Sequence, residues 1–205
     1  MFENHKKPRQ DIALHDSEPA SSWVQRWSHL VKPGGVVLDV ACGQGRHAIW
    51  FYDRNHSLAL VDRSQAAIES IAQIIPASAC EAVVADIENG PWPFAGRRFD
   101  AVVVTNYLWR PLMPTLLASL APGAVLIYET FTQGNETVGK PSRPDFLLRT
   151  GELLTLCADL RVVAFEDGFH EGSQGRSPRF VQRIVAVQEI ASGAERADSP
   201  PYQLP

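Results

Sequence analysis

The chain has 205 residues, of which 45% are hydrophobic and 20% are charged, and its formal net charge is −4. These proportions are typical of one globular domain with a full core, and they exclude a largely disordered chain. An acidic chain without a basic stripe is also a poor match for a broad nucleic-acid surface, so we expect no nucleic-acid partner.

Both ends of the sequence are polar, and they bound one predicted domain at residues 21–190. Residues 1–20 indicate a flexible segment, and the proline-rich residues 191–205 indicate a disordered tail. The first residues lack the apolar core of a signal peptide, and no run approaches the roughly 20 apolar residues that cross a bilayer. The three cysteines lack metal-binding spacing. We therefore expect a cytoplasmic monomer or homodimer with reduced thiols, no metal and no membrane contact.

Glycine, proline and polar residues divide the predicted domain into short apolar runs that indicate helices and strands. The strands show little alternation of polar and apolar residues, as expected where both faces of a sheet are covered. In chain order, the predicted elements are helix 23–31, strand 36–41, helix 45–54, strand 58–62, helix 65–75, strand 81–85, strand 99–105, helix 114–120, strand 124–130, helix 150–157, strand 161–166 and strand 180–188. Loops are predicted at residues 87–98, 131–144 and 168–177.

This order of elements predicts an α/β fold with a Rossmann-like, doubly wound sheet of seven strands, most of them parallel. The last two strands follow each other without a helix, which predicts a hairpin and an antiparallel last strand. Ligands of such sheets bind beyond the carboxyl ends of the strands. We therefore expect the functional side chains to gather at that edge.

The most informative stretch is residues 36–45, an apolar strand that carries one acid and ends in a Gly-x-Gly turn. A buried carboxylate is costly unless a cation or several donors meet it, so Asp39 predicts a ligand with a cationic group. The turn also matches a dinucleotide fingerprint, with Asp62 about 20 residues further on. Asp39 would repel a pyrophosphate. A nicotinamide-dependent oxidoreductase is therefore the alternative rather than the leading interpretation.

Several ordered segments resemble class I S-adenosylmethionine-dependent methyltransferases over residues 34–190. They are Val-Leu-Asp-Val-Ala-Cys-Gly-Gln-Gly, Leu-Val-Asp-Arg-Ser, Ala-Asp-Ile-Glu, Phe-Asp-Ala-Val-Val-Val-Thr-Asn-Tyr-Leu and Pro-Gly-Ala-Val-Leu-Ile-Tyr-Glu. The segment Cys-Gly-Gln-Gly-Arg-His-Ala is similar to small-molecule members of the tellurite-resistance type. The resemblance implies S-adenosylmethionine as cofactor, S-adenosylhomocysteine as product, and transfer of a methyl group in line to a small-molecule acceptor.

The resemblance also implies where the cofactor binds. The acid at position 39 and the turn would hold the methionine end, Asp62 the ribose hydroxyls, and the residues after the second and third strands the adenine. Thr105, at the end of the fourth strand, and its neighbours would line the sulfonium. The implied cofactor-binding residues are Asp39, Ala41, Cys42, Gly43, Gln44, Gly45, Asp62, Arg63, Asp86, Ile87, Thr105 and Asn106.

A general base is needed only for some acceptors, because an anionic or thiolate acceptor already carries a reactive lone pair. The candidates are Glu129, His170 and Tyr107. Glu129 follows from its place at the end of the fifth strand, although a hydrogen-bonded anchor for the next loop is an equal interpretation. A scaffold that keeps the cofactor fold without turnover also stays open, since methyl transfer requires no nucleophilic side chain.

Overall fold

The computed structural model describes residues 18–172, 177–190 and 202–205. Its strands form one sheet in the order β3-β2-β1-β4-β5-β7-β6. The strands are β1 (Val36–Val40), β2 (Ser57–Asp62), β3 (Cys80–Val84), β4 (Phe99–Thr105), β5 (Leu120–Phe131), β6 (Arg161–His170) and β7 (Arg179–Val187). The α-helices are α1 (Ser22–Trp27), α2 (Arg46–Tyr52), α3 (Gln65–Ala72), α4 (Met113–Ala118) and α5 (Glu152–Leu156).

Strands β1 to β5 pair in parallel, whereas β7 pairs antiparallel with both β5 and β6. This arrangement confirms the predicted α/β fold, the closing hairpin and the antiparallel last strand. Because β1 to β5 run in the same direction, their carboxyl ends meet at one edge, and the turn at residues 41–45 lies there.

Two apolar layers cover the sheet, which explains why its central strands are apolar throughout. Leu38 and Val40 of β1 pack on the face covered by α4 and α5. Val37, between them, packs on the opposite face with α1, α2 and α3. Neighbouring residues of a strand point to opposite faces, so a strand covered on both sides buries every position.

The boundaries differ from prediction mainly in the second half of the chain. Strand β5 begins at Leu120 rather than at residue 124, because the pairing with β4 shifts register around Pro122 and Gly123 instead of stopping there. Strand β6 continues to His170, where it still pairs with Arg179. The predicted loop at residues 131–144 contains a 3-10 turn at Asn135–Thr137, and a second such turn follows at Pro144–Phe146.

The predicted flexible ends lie largely outside the described residues, because residues 1–17 and 191–201 are not among them. Within the described part, Tyr202 packs against the core, and the carbonyl of Gln203 lies 2.9 Å from Nε2 of His29. No helix among the described residues combines the length and the apolar composition that crossing a bilayer requires.

Candidate active site

The turn after β1 has an unusual backbone. Ala41, Gly43 and Gly45 all have positive φ angles, of 53°, 52° and 77°. A Cβ atom on Gly45 would lie 2.6 Å from Cγ1 of Ile71, so packing against α3 requires glycine there. A Cβ atom on Gly43 would meet no atom within 4 Å. Gly43 therefore leaves the backbone open to a ligand, which is the use of glycine in such turns.

A cavity of about 360 Å³ lies along this turn, and we call it the turn cavity. Its lining includes most of the turn together with the residues that follow β4, as the sequence predicted. The predicted residues on its wall are Ala41, Cys42, Gly43, Gln44, Thr105 and Asn106. Burial raises the pKa of the Cys42 thiol, which keeps it protonated and unsuited to act as a nucleophile.

Asp62 joins the turn to the next helix. Its Oδ2 accepts a hydrogen bond from the amide of Gly43 at 2.8 Å, and its Oδ1 accepts one from the amide of Ser64 at 2.8 Å. A carboxylate oxygen has two acceptor positions, so each oxygen keeps capacity for one further donor. Asp62 can therefore order the turn and accept two ligand hydroxyls at the same time.

Asp39 lies in β1 just before the turn and is 1% exposed. Its Oδ2 has no hydrogen-bond partner among the described residues. Burial raises the pKa of Asp39 to about 7, and the nearby guanidinium of Arg46 partly opposes this effect. A buried acceptor without a donor is costly, and a cationic ligand group would remove that cost.

A second cavity of about 270 Å³, the strand-end cavity, lies beyond β2, β3 and β4. The strand-end cavity is next to the turn cavity, because Ala41 lines both. Six of its residues were predicted site residues: Ala41, Asp62, Arg63, Asp86 and Ile87 for the cofactor, and Tyr107 as a candidate base. Three others were not: Ala85, Glu88 and Phe146.

Asp86 orders the chain at the end of β3. Its Oδ1 accepts the amides of Glu88 and Asn89 at 3.0 and 3.2 Å, and its Oδ2 accepts Nδ2 of Asn89 at 3.0 Å. The hydrogen bond from the Asn89 side chain and those from the two amides lower the pKa of Asp86. Asp86 is thus an ionised acceptor that also holds the Ile87 backbone at the cavity wall.

Phe146 reaches the same cavity from a distant part of the chain. It lies in the 3-10 turn Pro144–Phe146 and is 40% exposed. The guanidinium of Arg110 donates to the carbonyls of Asp145 and Leu147 at 2.9 and 2.8 Å, on both sides of Phe146. Glu152 holds that guanidinium at 2.6 Å. Arg110 therefore fixes the backbone on both sides of Phe146, whose side chain lines the cavity.

A third cavity, of about 390 Å³, lies next to the turn cavity and is called the outer cavity. The two cavities share Glu18, Arg46 and Asn106. The other residues on the outer cavity's wall are Glu129, Phe131, Asn135, Val138, Gly139, Lys140, Ser177, Pro178 and Arg179.

Glu129, the leading base candidate, is 3% exposed and already holds two partners. Its Oε1 accepts the Ser21 hydroxyl at 2.9 Å, and its Oε2 accepts the Arg183 guanidinium at 3.2 Å. Arg183 is also bound by Glu166 at 2.7 Å. These contacts favour the interpretation of Glu129 as an anchor, here for the segment at Ser21 rather than for the following loop.

His47 connects the same segment to the end of β4. The amide of Ser21 donates to Nε2 of His47 at 3.2 Å, so the proton of the neutral ring is assigned to Nδ1. Nδ1 lies 3.4 Å from the hydroxyl oxygen of Thr105. Sequence reasoning did not find this link, because Ser21 and His47 are 26 positions apart and no local pattern relates them.

The two remaining base candidates have different surroundings. Burial and the carboxylate of Glu88 raise the pKa of Tyr107, which keeps its phenol protonated. Tyr107 is therefore suited to donate a hydrogen bond and not to accept a proton. His170 lines a separate cavity of about 210 Å³, whose wall also includes Arg183. It lies there because β6 extends as far as His170 and pairs with β7 at that position. Its role as a base stays a prediction.

Comparison with known proteins agrees with this geometry. Residues 37–123 match a family model described as a methyltransferase domain. No curated protein is significantly similar in sequence.

Solved structures share the fold at low sequence identity. TehB from Haemophilus influenzae has a TM-score of 0.66 and 16% identity; the match covers 79% of this chain and 60% of TehB. A SAM-dependent methyltransferase from Methanosarcina mazei has a TM-score of 0.63 and 16% identity over 84% of this chain and 100% of that one. The glycopeptide N-methyltransferase MtfA in complex with S-adenosylhomocysteine has a TM-score of 0.59 and 17% identity over 83% and 90% of the two chains. The chain is thus similar to a methyltransferase domain over residues 37–123, and it shares its fold with solved methyltransferase structures.

Proposed function

We propose that this chain transfers the methyl group of S-adenosylmethionine to a small-molecule acceptor. The observation that carries the proposal is the row of three neighbouring cavities at the carboxyl edge of the sheet. The strand-end cavity and the turn cavity share Ala41, and the turn cavity and the outer cavity share Arg46 and Asn106. This row provides adjoining places for a nucleoside, an amino-acid end and an acceptor.

The residues of the first two cavities fit the cofactor by their chemistry. Asp62 offers two carboxylate oxygens to the ribose hydroxyls, and the backbone at Ile87 with Asp86 offers donors and acceptors to the adenine edge. Asp39 lies two residues before the turn and is not on the wall of either cavity, but its unpartnered oxygen would meet the need of an ammonium group for a buried anion. Gly43 lets the backbone approach the ligand closely.

When bound, the cofactor supplies a methyl group already activated on a positively charged sulfur. The task of the chain is then to align the acceptor and to exclude water, which can account for a large part of such a barrier. Asp39, Asp62 and the turn would hold the cofactor, which would supply its methyl group to an acceptor lone pair and leave as S-adenosylhomocysteine. The proton of a hydroxyl, amine or thiol acceptor would pass to solvent or to a base.

The outer cavity has the size of a small-molecule site, at about 390 Å³. A small acceptor also agrees with the glycopeptide substrate named for MtfA. We propose further that nucleic acid is not the acceptor and that the enzyme acts in the cytoplasm as a monomer or homodimer. Of the three base candidates, Tyr107 keeps its proton and Glu129 already holds two partners, so neither is proposed as the base, and the role of His170 stays a prediction.

Calorimetry with S-adenosylhomocysteine tests the cofactor site directly. We expect micromolar binding, abolished in Asp62→Ala and weakened in Asp39→Ala, and no binding of NAD. As a matched control, Glu69→Gln removes an exposed charge from neighbouring α3 and should bind as the wild type does. Unchanged affinity in both aspartate variants would contradict the assignment of the site.

Turnover separates an enzyme from a scaffold that only binds the cofactor. Release of S-adenosylhomocysteine would be measured with thiols, phenols, amines, chalcogen oxyanions and RNA as acceptors. We expect release with at least one small molecule and none with RNA. Binding of the cofactor without release in any reaction would favour the scaffold.

A further inference from the structure

The outer cavity carries an unequal distribution of charge. Five of its residues are ionisable acids or bases, and both carboxylates already have cationic partners. Glu18 binds Arg46 at 2.7 Å, and Glu129 binds Arg183 at 3.2 Å. Because these pairs neutralise both acids of the wall, the charges that remain on it are those of the cations Lys140 and Arg179.

Within the described residues, neither Lys140 nor Arg179 forms an ion pair. The chain as a whole has a net charge of −4, so two unpaired cations in one concavity do not follow from a basic composition. A concave wall of one charge sign concentrates the field inside it and attracts ions of the opposite sign.

One buried side chain fixes the backbone next to each of the two cationic residues. Asn135 is 1% exposed, and its Nδ2 donates to the carbonyl of Pro141 at 2.9 Å. Its Oδ1 accepts the amide of Phe180 at 3.1 Å. Pro141 and Phe180 directly follow Lys140 and Arg179 in the sequence. Asn135 therefore ties the backbone next to Lys140 to the backbone next to Arg179, on the wall of the same cavity.

The same cavity also has an apolar part. Phe131 is half-buried at the end of β5, and Val138 is 41% exposed on the loop that follows. A ligand that covers Val138 and contacts the cations must carry an apolar body and an anionic group. Its opposite end would lie towards Asn106, where the outer cavity joins the turn cavity.

We infer that the methyl acceptor is a small organic anion whose carboxylate or phosphate binds between Lys140 and Arg179. Its apolar body packs on Phe131 and Val138. This inference rests on the proposed function, because the outer cavity is the acceptor site only if the turn cavity holds the cofactor. It narrows the acceptor from small molecules in general to those with an anionic group.

Binding to the full chain saturated with S-adenosylhomocysteine tests the inference. The probes are para-hydroxybenzoate with its uncharged match para-hydroxybenzamide, and phenyl phosphate with its uncharged match phenol. We expect at least one anion to bind about tenfold or more tightly than its match, since hydrogen bonds to ionised groups are stronger than those between neutral groups. The two pairs distinguish a carboxylate site from a phosphate site.

The double variant Lys140→Gln/Arg179→Gln should lose this preference. The control Lys32→Gln/Arg98→Gln removes two exposed cations that precede β1 and β4, at the opposite edge of the sheet, and should retain it. Melting temperature and S-adenosylhomocysteine affinity check that both variants fold.

Three results would overturn the inference: equal binding of anions and matches, absence of binding by all four probes, or a preference that survives in the double variant. Failure of the wild type to bind S-adenosylhomocysteine would instead overturn the proposed function. The two failures are therefore distinguishable in one series of titrations.

Discussion

The hydroxyl of Ser21 donates to Oε1 of Glu129 at 2.9 Å, across 108 positions of sequence. Both residues are almost fully buried. Ser21 also caps α1 by accepting the amide of Trp23 at 3.1 Å. The start of the described chain is thus tied to the carboxyl end of β5, beside the outer cavity.

A double-mutant cycle of Ser21→Ala and Glu129→Ala measures this link. We expect a coupling of about 1.5–3 kcal/mol in the free energy of unfolding, because the hydrogen bond involves a charged group. Ser22→Ala, at the exposed first position of α1, is the control and should show no coupling to Glu129→Ala. Additive effects of the first pair, measured by denaturant unfolding, would contradict the structural role.

The raised pKa of Asp39 makes cofactor affinity depend on pH. Burial holds the pKa at about 7, so the carboxyl is largely neutral below that value and attracts a cation only above it. We expect the affinity for S-adenosylhomocysteine to rise between about pH 6 and about pH 8. Asp39→Asn should bind more weakly and show little change over this range. A parallel rise in the variant would rule out Asp39 as the titrating group.

The same shift affects stability with the opposite sign. An unfolded aspartate ionises near pH 3.9, whereas folded Asp39 ionises at about 7. Between these values the folded state binds more protons, so the contribution of Asp39 to the free energy of unfolding falls as the pH rises. Asp39→Asn should therefore raise the melting temperature more at pH 8 than at pH 5, as scanning calorimetry would show.

Phe146 should contribute to binding through the adenosine part of the cofactor. Its ring lines the strand-end cavity, and an aromatic contact is worth about 0.5–1.5 kcal/mol beyond its buried area. We expect Phe146→Ala to weaken S-adenosylhomocysteine and adenosine by a similar factor of about five to ten. Phe169→Ala, at a more exposed phenylalanine on β6, is the control. An effect on S-adenosylhomocysteine alone would place Phe146 at the other end of the ligand.

The two glycines of the turn should respond differently to alanine. Gly43→Ala forces a positive φ on a residue with open space around it, at a cost of about 1–2 kcal/mol. Gly45→Ala adds a Cβ atom 2.6 Å from Ile71 and should cost more. Thermal unfolding of both variants makes the comparison. Equal losses would mean that α3 moves away without cost.

The site residues that could be predicted from the sequence are those that depend on local features of the chain. Asp39, Gly43 and Asp62 lie where a strand meets a turn, and the special demands of a buried charge and a positive φ are visible in the sequence itself. The alternation of elements likewise predicted the sheet and its antiparallel last strand, since short connections leave few topologies.

The missed features depend on contacts between distant segments. Phe146 lies in a polar loop without periodicity, and its place at the strand-end cavity depends on Arg110, 35 positions before Asp145. The sequence around Glu129 supports a base and an anchor equally well, and only the positions of Ser21 and Arg183 favour one. Strand β6 extends beyond its predicted end at residue 166, because β7 pairs with it as far as Arg179.

The place of β7 between β5 and β6 has a consequence for how the protein is made. A nascent chain that has emerged only as far as residue 178 contains β6 but lacks the strand to which β6 pairs. Until residues 179–187 leave the ribosome, the edge of β5 stays open to other chains. The sheet can therefore close only after residues 179–187 have been synthesised, although β6 and all the other strands precede them in the chain.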